Sequence, residues 1–272
     1  MFVYSSKTAL ITGASSGIGE AFAYALARRG THLVLVARSK QRLETLAAEL
    51  RARHGVRVEV VSADLTAPGA VERIRAQLQD RELHVDLLIN NAGFGTYGAF
   101  DTLTLPRERE QITLNVASLV ELTHTFLPGM LARADGGVIN VASTAGFQAC
   151  PHMATYGATK AFVLSFSEAL WAENHRRGVT VTALCPGPTE TAFFASFNGV
   201  EPDIGPKVGA ETVVAAGLKA FERGRSYVIP GRRNYWLAQL SRWSSRRLTA
   251  LIAERMLRPK ASGNVHSAVS AA

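Results

Sequence analysis

Thr8-Ala-Leu-Ile-Thr-Gly-Ala-Ser-Ser-Gly-Ile-Gly19 is the stretch whose reading decides the fold. A short apolar run ends at Thr12, glycines follow at 13, 17 and 19, and from Gly17 to Arg29 the apolar residues take a helical period. The same order of strand, special residues and helix recurs downstream. Val34–Val36 ends at Ala37-Arg38, and Val58–Val61 ends before Asp64. Leu87–Ile89 ends at Asn90-Asn91-Ala92-Gly93, Val138–Val141 before Ser143, and Val179–Leu184 before Pro186-Gly187. Helical patterns fill the gaps at 17–29, 40–53, 69–80, 106–134, 153–177 and 211–222, the fourth expected to be interrupted or bent at Pro128-Gly129. Gly30, Gly55 and Gly178 stand behind basic residues, as helix C-termini prefer. This alternation predicts right-handed crossovers and an α/β fold with a parallel sheet covered on both faces. Ligands of such sheets bind at the carboxyl ends of the strands, where the unusual residues collect, so they describe one continuous site.

The bulk numbers fit that reading. The chain has 272 residues, is 47% hydrophobic and carries a net charge of +8, which suits one large domain. We assign residues 1–231 to it, with an irregular, Pro- and Gly-containing lid at about 187–210. From Arg232 to Lys260 eight basic residues face a single acid, Glu254, so this extension carries +7 and the rest of the chain +1. The small, polar residues 261–272 are expected to be disordered. No apolar run is long enough to span a bilayer, no signal peptide precedes the first strand, and the two cysteines, Cys150 and Cys185, make neither a disulfide framework nor a metal site. A reducing, cytoplasmic location is the expectation, with no metal.

The glycines permit a tight turn and let backbone N–H groups of Gly13, Ser15, Ser16, Gly17, Ile18 and Gly19 approach a pyrophosphate at a helix N-terminus. Their G-x-x-x-G-x-G spacing differs from the general dinucleotide fingerprint. An NAD site places an acid about 20 residues further on. Here Ala37-Arg38 holds that position, and an arginine suits a 2′-phosphate, so the expected cofactor is NADP(H). Asp64, followed by Leu65, either bonds an adenine amino group or caps the helix near Gly69. Asn91, Ala92 and Gly93 offer small residues and an amide where a strand end passes the cofactor.

Tyr156 and Lys160 stand four apart on one helical face. A phenol titrates at about 10, so acting as a base near neutrality requires opposite charge nearby to stabilise the phenolate. Lys160 is placed to give it, together with a cationic nicotinamide. Ser143, thirteen residues before Tyr156, can hydrogen-bond a carbonyl oxygen. Asn115 lies among Ile112, Leu114, Val116 and Leu119, where a buried amide needs a partner, and taken alone a satisfied structural amide is the favoured reading.

Together Thr12–Gly19, Asn90–Gly93, Ser143, Tyr156-Gly-Ala-Thr-Lys160 and Pro186-Gly187 resemble the short-chain dehydrogenase/reductase family, over roughly residues 6–230. The resemblance implies a doubly wound Rossmann fold of seven parallel strands, with Ser226–Ile229 as the seventh. It implies hydride transfer between nicotinamide and a carbonyl or alcohol carbon, with Tyr156 as general acid/base and Lys160 lowering its pKa and holding the ribose. Ser143 would orient the carbonyl and Asn115 hold a relay water. Pro186, Gly187 and Thr189 or Thr191 would contact the nicotinamide side. Relatives of this kind associate as dimers or tetramers through the helices at 106–134 and 153–177. A dinucleotide sensor on the same fold is the competing reading, and the full set of four catalytic residue types argues against it.

The expected substrate pocket is apolar: Phe94, Phe147, Phe193 and Phe194, with Met153 and Phe197, and with Cys150 and His152 adding polarity. His152 reads as a wall rather than a catalyst. This implies a hydrophobic ketone, aldehyde or secondary alcohol. In the extension Trp236, Leu237, Leu240, Trp243, Leu248, Leu251 and Ile252 follow a helical period among arginines. Such a helix can touch an anionic membrane surface, pack on the body, cover the substrate opening or join subunits. No groove-reading motif accompanies the charge, so nucleic acid is not expected.

Overall fold

Seven parallel strands pair in the order β3-β2-β1-β4-β5-β6-β7 in the computed structural model, which describes residues 2–193, 197 and 205–259, the side chains of 241 and 242 excepted. They are β1 (Thr8–Thr12), β2 (His32–Ala37), β3 (Val58–Ser62), β4 (Leu87–Asn90), β5 (Gly136–Val141), β6 (Val179–Leu184) and β7 (Tyr227–Val228). Phe194, part of the expected lid and the tail 261–272 lie outside the described residues. Leu10 of β1 sits beside Val34 of β2 on one side and Leu88 of β4 on the other. The chain therefore leaves β1 in opposite directions, and the crevice above β1 and β4 is the topological switch point.

The strands are mostly apolar because both faces are covered. Ala9 and Ile11 face α1 (Gly17–Ala27), α2 (Lys40–His54) and α7 (Ala210–Glu222), through Phe22, Leu26, Leu43, Leu50, Leu218 and Phe221. Leu10, Val34, Leu88 and Val138 face the opposite layer, meeting Val71, Ile74 and Leu78 of α3 (Ala70–Asp80) and Leu122 and Met130 of α5 (Ser118–Ala132). Each fully buried Leu, Ile or Phe contributes about 1.5–3 kcal/mol to that contact.

The glycine turn is held shut by its own backbone. Gly13 has φ +64°, and a Cβ on Gly19 would stand 2.3 Å from the Gly13 carbonyl oxygen. Gly19→Ala is therefore expected to lower stability by about 1–3 kcal/mol, as overpacking does. Urea unfolding checks it, and an unchanged midpoint would mean that the turn opens freely.

The long fourth helical run breaks in a different place from the one expected. α5 passes through Pro128 without interruption, forfeiting one backbone bond. The irregularity is a π turn at Thr113–Ala117, between α4 (Leu105–Ile112) and α5. The wider turn leaves carbonyls for other donors. Ser118 Oγ lies 3.0 Å from the Thr113 oxygen and 2.7 Å from that of Leu65. Asn115 sits inside this turn.

The extension forms two helices, α8 (Arg232–Trp243) and α9 (Arg246–Leu257), instead of one. Ser245 separates them because its Oγ accepts from Leu248 N at 3.2 Å and starts α9 anew. No helix among the described residues is long and apolar enough to cross a membrane.

Candidate active site

A cleft of about 630 Å³ runs along the carboxyl ends of the strands. At one end stand Ser15, Ser16, Gly17 and Ile18, where α1 begins. Ser16 is the N-cap of α1 but makes no side-chain cap bond, so the first amides of the helix face the cleft uncapped. Asn91 organises this end instead of facing outward: its Nδ2 donates to the Thr12 oxygen at 2.9 Å and the Gly13 oxygen at 3.2 Å. Thr12 Oγ1 in turn accepts from the backbone N–H of Asn91 at 2.9 Å and of Ala92 at 3.0 Å. The turn and the end of β4 thus form one rigid floor.

Arg38 lines the same end, and so does Arg42 one helical turn later, which the sequence reading missed. Its position within the α2 pattern gave no sign that it faced a site. Asp64 also lines the cleft, beside Leu65. Asp64 does not cap α3, whose N-cap is Gly69. Its Oδ1 accepts from Thr66 N at 2.9 Å and Thr66 Oγ1 at 2.7 Å. Those bonds, and next the nearby Arg38 charge, hold its carboxyl below the usual range.

At the other end α6 (Ala154–Asn174) brings Tyr156 and Lys160 into the cleft, both buried. Ser143, just after β5, lines the cleft with Tyr156, and its Oγ accepts from Ala145 N at 3.1 Å and lies 3.5 Å from the Pro186 oxygen, to which it donates. Burial pushes the phenol well above its usual value, and the neighbouring Ser143 hydroxyl offsets part of that rise. Lys160 Nζ donates to the Val141 carbonyl at 2.8 Å and stands 5.8 Å from the Tyr156 ring centre. Burial lowers the Lys160 ammonium from 10.5 to about 8. By itself the chain therefore holds a protonated phenol at neutral pH.

Asn115 is buried with its amide fully engaged. Its Oδ1 accepts from Phe94 N at 3.1 Å, and its Nδ2 donates to Phe94 O at 2.9 Å and Thr159 Oγ1 at 3.1 Å. The side chain ties the loop after β4 to α6, and it stands outside the cleft lining. Gly93 passes so close that a Cβ there would lie 2.9 Å from Asn115 Oδ1.

Pro186, Gly187 and Thr189 line the cleft beside the tyrosine, and Thr191 closes over Gly17. Phe94, Cys150 and Phe193 line the substrate side, with Phe193 at 5.3 Å from the Tyr156 ring. Burial pushes the Cys150 thiol up to about 11. Phe147 and His152 are corrections, for neither lines the cleft. The Phe147 ring packs on Tyr227 at 6.0 Å, and His152 Nε2 turns to Glu254 of α9 at 3.6 Å. Residues of the extension take their place: Leu237 and Ala238 of α8, and Ala253, Met256 and Leu257 of α9. Tyr97 OH donates to the Leu257 oxygen at 2.7 Å and fastens α9 to the body. Arg107, whose guanidinium lies 3.8 Å from the Phe94 ring centre, completes the rim.

A family model described as short chain dehydrogenase matches residues 7–201. The chain is 35% identical over 185 residues to an uncharacterized oxidoreductase of Staphylococcus epidermidis, covering 68% of this chain and 79% of the relative. It is 38% identical over 183 residues to a very-long-chain 3-oxoacyl-CoA reductase of Anas platyrhynchos, covering 65% of this chain and 58% of that one. Among solved structures, a short-chain dehydrogenase from Sphingobium yanoikuyae in complex with NADPH superposes with a TM-score of 0.79 at 36% identity, over 95% of this chain and 98% of that chain. The bulky-bulky ketone specific alcohol dehydrogenase from Comamonas testosteroni gives 0.74 at 32% identity, over 95% and 97%. With a seven-stranded parallel sheet, this glycine turn and this Ser143–Tyr156–Lys160 cluster, the chain belongs to the short-chain dehydrogenase family.

Proposed function

We propose that this protein is an NADP(H)-dependent reductase of apolar ketones or aldehydes, with Tyr156 as the proton donor. The observation that carries the proposal is one cleft with two arginines at one end and a buried, protonated phenol at the other. The residues fit a phosphorylated dinucleotide. The cradle is lined by Gly17, Ser15 and Ser16 at a helix N-terminus with unpaired amides, which suits a pyrophosphate. Arg38 and Arg42 suit a 2′-phosphate, and the second-strand end holds no acid that would repel one. Asp64 and Leu65 would flank the adenine, and Asn91, Ala92, Gly93, Pro186, Gly187 and Thr189, which line the cleft toward the tyrosine, would hold the nicotinamide half. The NADPH complex of the Sphingobium protein supports this choice. The cofactor, when bound, supplies the hydride.

The chain's own residues do the rest. Ser143 and Tyr156 line the same part of the cleft, so a carbonyl oxygen bound there would receive two hydrogen bonds and be polarised. Tyr156 then gives its proton to that oxygen. The phenol, whose pKa burial raises, keeps its proton at pH 7 and can serve as the donor in reduction. Lys160, still mostly charged at pH 7, bonds Val141 O and is positioned to orient the cofactor's sugar. Asn115 acts by fixing the Phe94 loop against α6. Phe193 and the α9 residues exclude water. The bulky ketones named for the Comamonas enzyme agree with the apolar lining. Exposed Ile112 and Phe162, on α4 and α6, are the surfaces through which two copies would associate.

NADPH oxidation measured across a panel of apolar ketones tests the reading, and absence of turnover with every member would reject it. Arg38→Ala and Arg42→Ala are each expected to weaken NADPH binding by about tenfold, as loss of one charge-assisted phosphate contact does. NADH binding should hardly change. Fluorescence titration with both cofactors measures this, and equal loss for the two would reject the 2′-phosphate assignment.

A further inference from the structure

We propose that α8 and α9 dock this protein on an anionic lipid surface, and that the cleft opens onto that surface. The route for substrate rests on the reductase reading above; the docking does not.

Each helix has two apolar faces. On α8, Asn234, Leu237 and Ala238 line the cleft, while Trp236, Leu240 and Trp243 stand at spacings of four and three on an outer stripe. That stripe is exposed: Trp243 to 88%, Trp236 to 64% and Leu240 to 60%. On α9, Ala253, Met256 and Leu257 line the cleft, while Leu248, Leu251 and Ile252 are about half exposed on the outside. A body-packed amphipathic helix buries one stripe and covers the other with polar side chains. Here the second stripe is apolar too. Leu237 and Met256 belong to both faces, lining the cleft while 45% and 58% exposed. An apolar path therefore runs from the outer stripes to the neighbourhood of Tyr156.

Charge selects the occupant. Arg232, Arg233, Arg246, Arg247, Arg255 and Arg258 are exposed around the stripes. The one acid of the two helices, Glu254, is already held by Arg258 at 2.8 and 2.9 Å. Among the described residues the other five arginines form no ion pair. A second copy meeting this face would bring an equal positive charge against it. Anionic lipid headgroups complement the arginines, and tryptophans favour the interface between headgroup and acyl chain. The helices are too short and too charged to span, so they lie on the surface.

The test is co-sedimentation of the full chain with vesicles of phosphatidylcholine alone or mixed equally with phosphatidylserine. The expected result is pelleting with the mixed vesicles, weak pelleting with phosphatidylcholine, and release at high salt. The triple variant W236S/L240S/W243S, whose side chains face away from the cleft, should lose about a hundredfold in partitioning, since binding scales with buried apolar area. Circular dichroism and an unchanged rate with a small water-soluble ketone would show that it folds. For a lipophilic ketone dissolved in mixed vesicles, the native chain should turn over faster than the variant. Failure of the native chain to pellet with mixed vesicles overturns the docking. A fall in mass of the variant by light scattering, without any pelleting of the native chain, would assign the stripes to a second copy. If the native chain pellets but catalyses nothing, docking stands and the reductase reading falls.

Discussion

Tyr156→Phe is expected to lower kcat for ketone reduction by about a hundred- to ten-thousandfold, the range for loss of a positioned proton donor. The substitution removes one oxygen from a buried ring and leaves its packing against Phe193 intact. Ser143 keeps its bonds to Ala145 N and Pro186 O, neither of which involves the phenol. NADPH affinity should therefore change little, and so should stability. The split between kcat and binding is the signature, because a merely structural tyrosine would move both. Stopped-flow NADPH oxidation and fluorescence titration separate the two. A rate within about threefold of the native chain, well inside that catalytic range, would remove Tyr156 from the chemistry.

Lys160→Met is expected to abolish most activity and yet to stabilise the fold. The ammonium is buried, and its fall from 10.5 to about 8 corresponds to about 3 kcal/mol of folding free energy forgone at neutral pH. Leaving the Val141 carbonyl without its donor returns about 1 kcal/mol of that. The net gain is about 2 kcal/mol at pH 7, by the same two magnitudes. Its pH dependence has a definite sign. Between about 8 and 10.5 the unfolded chain binds more protons at Lys160 than the folded chain, so native stability rises with pH there. The variant has no such gain, and the gap between the two should close as pH rises through that window. Urea unfolding of both proteins at pH 7 and near pH 10 measures the gap. A variant less stable than the native chain at pH 7, or a gap unchanged by pH, would contradict the account. Activity should fall by about a hundredfold or more, as for other members of an acid–base assembly.

The strand ends were legible because each carries residues that a buried strand or helix does not need. Glycines at 13, 17 and 19, Asn90-Asn91 and Tyr156 with Lys160 announce themselves by type and spacing. What those residues touch was less legible. Asn91 and Asn115 spend their amides on backbone groups of neighbouring loops, contacts between chain segments distant in sequence. The break in the fourth helical run does not fall at Pro128, the residue with a local reason to break a helix. It lies instead at Thr113–Ala117, where Ser118 and Leu65 give the π turn its support from outside the helix. Phe147 looked like a pocket wall by proximity to Tyr156, yet packs on Tyr227 of β7. Arg42 and the α9 lining depend on how α2 and the extension approach the cleft, which periodicity does not encode. The sequence also does not show how deeply the assembled cleft buries the Tyr156 phenol, or that the Lys160 ammonium is directed at Val141 O.

The central claim is that Tyr156 holds a transferable proton beside a nicotinamide site, and ultraviolet difference titration of its phenol tests it most directly. Native protein and Tyr156→Phe are titrated with and without NADP+, and the difference spectrum reports this one hydroxyl. Without the dinucleotide, ionisation of Tyr156 should be absent up to about pH 10, the ordinary phenol range, because burial raises it. With NADP+ bound, the positive ring should bring the ionisation down by about 2 units or more. The same titration curve in both conditions would mean that the phenol does not sense the cofactor, and the mechanism proposed for this site would be wrong.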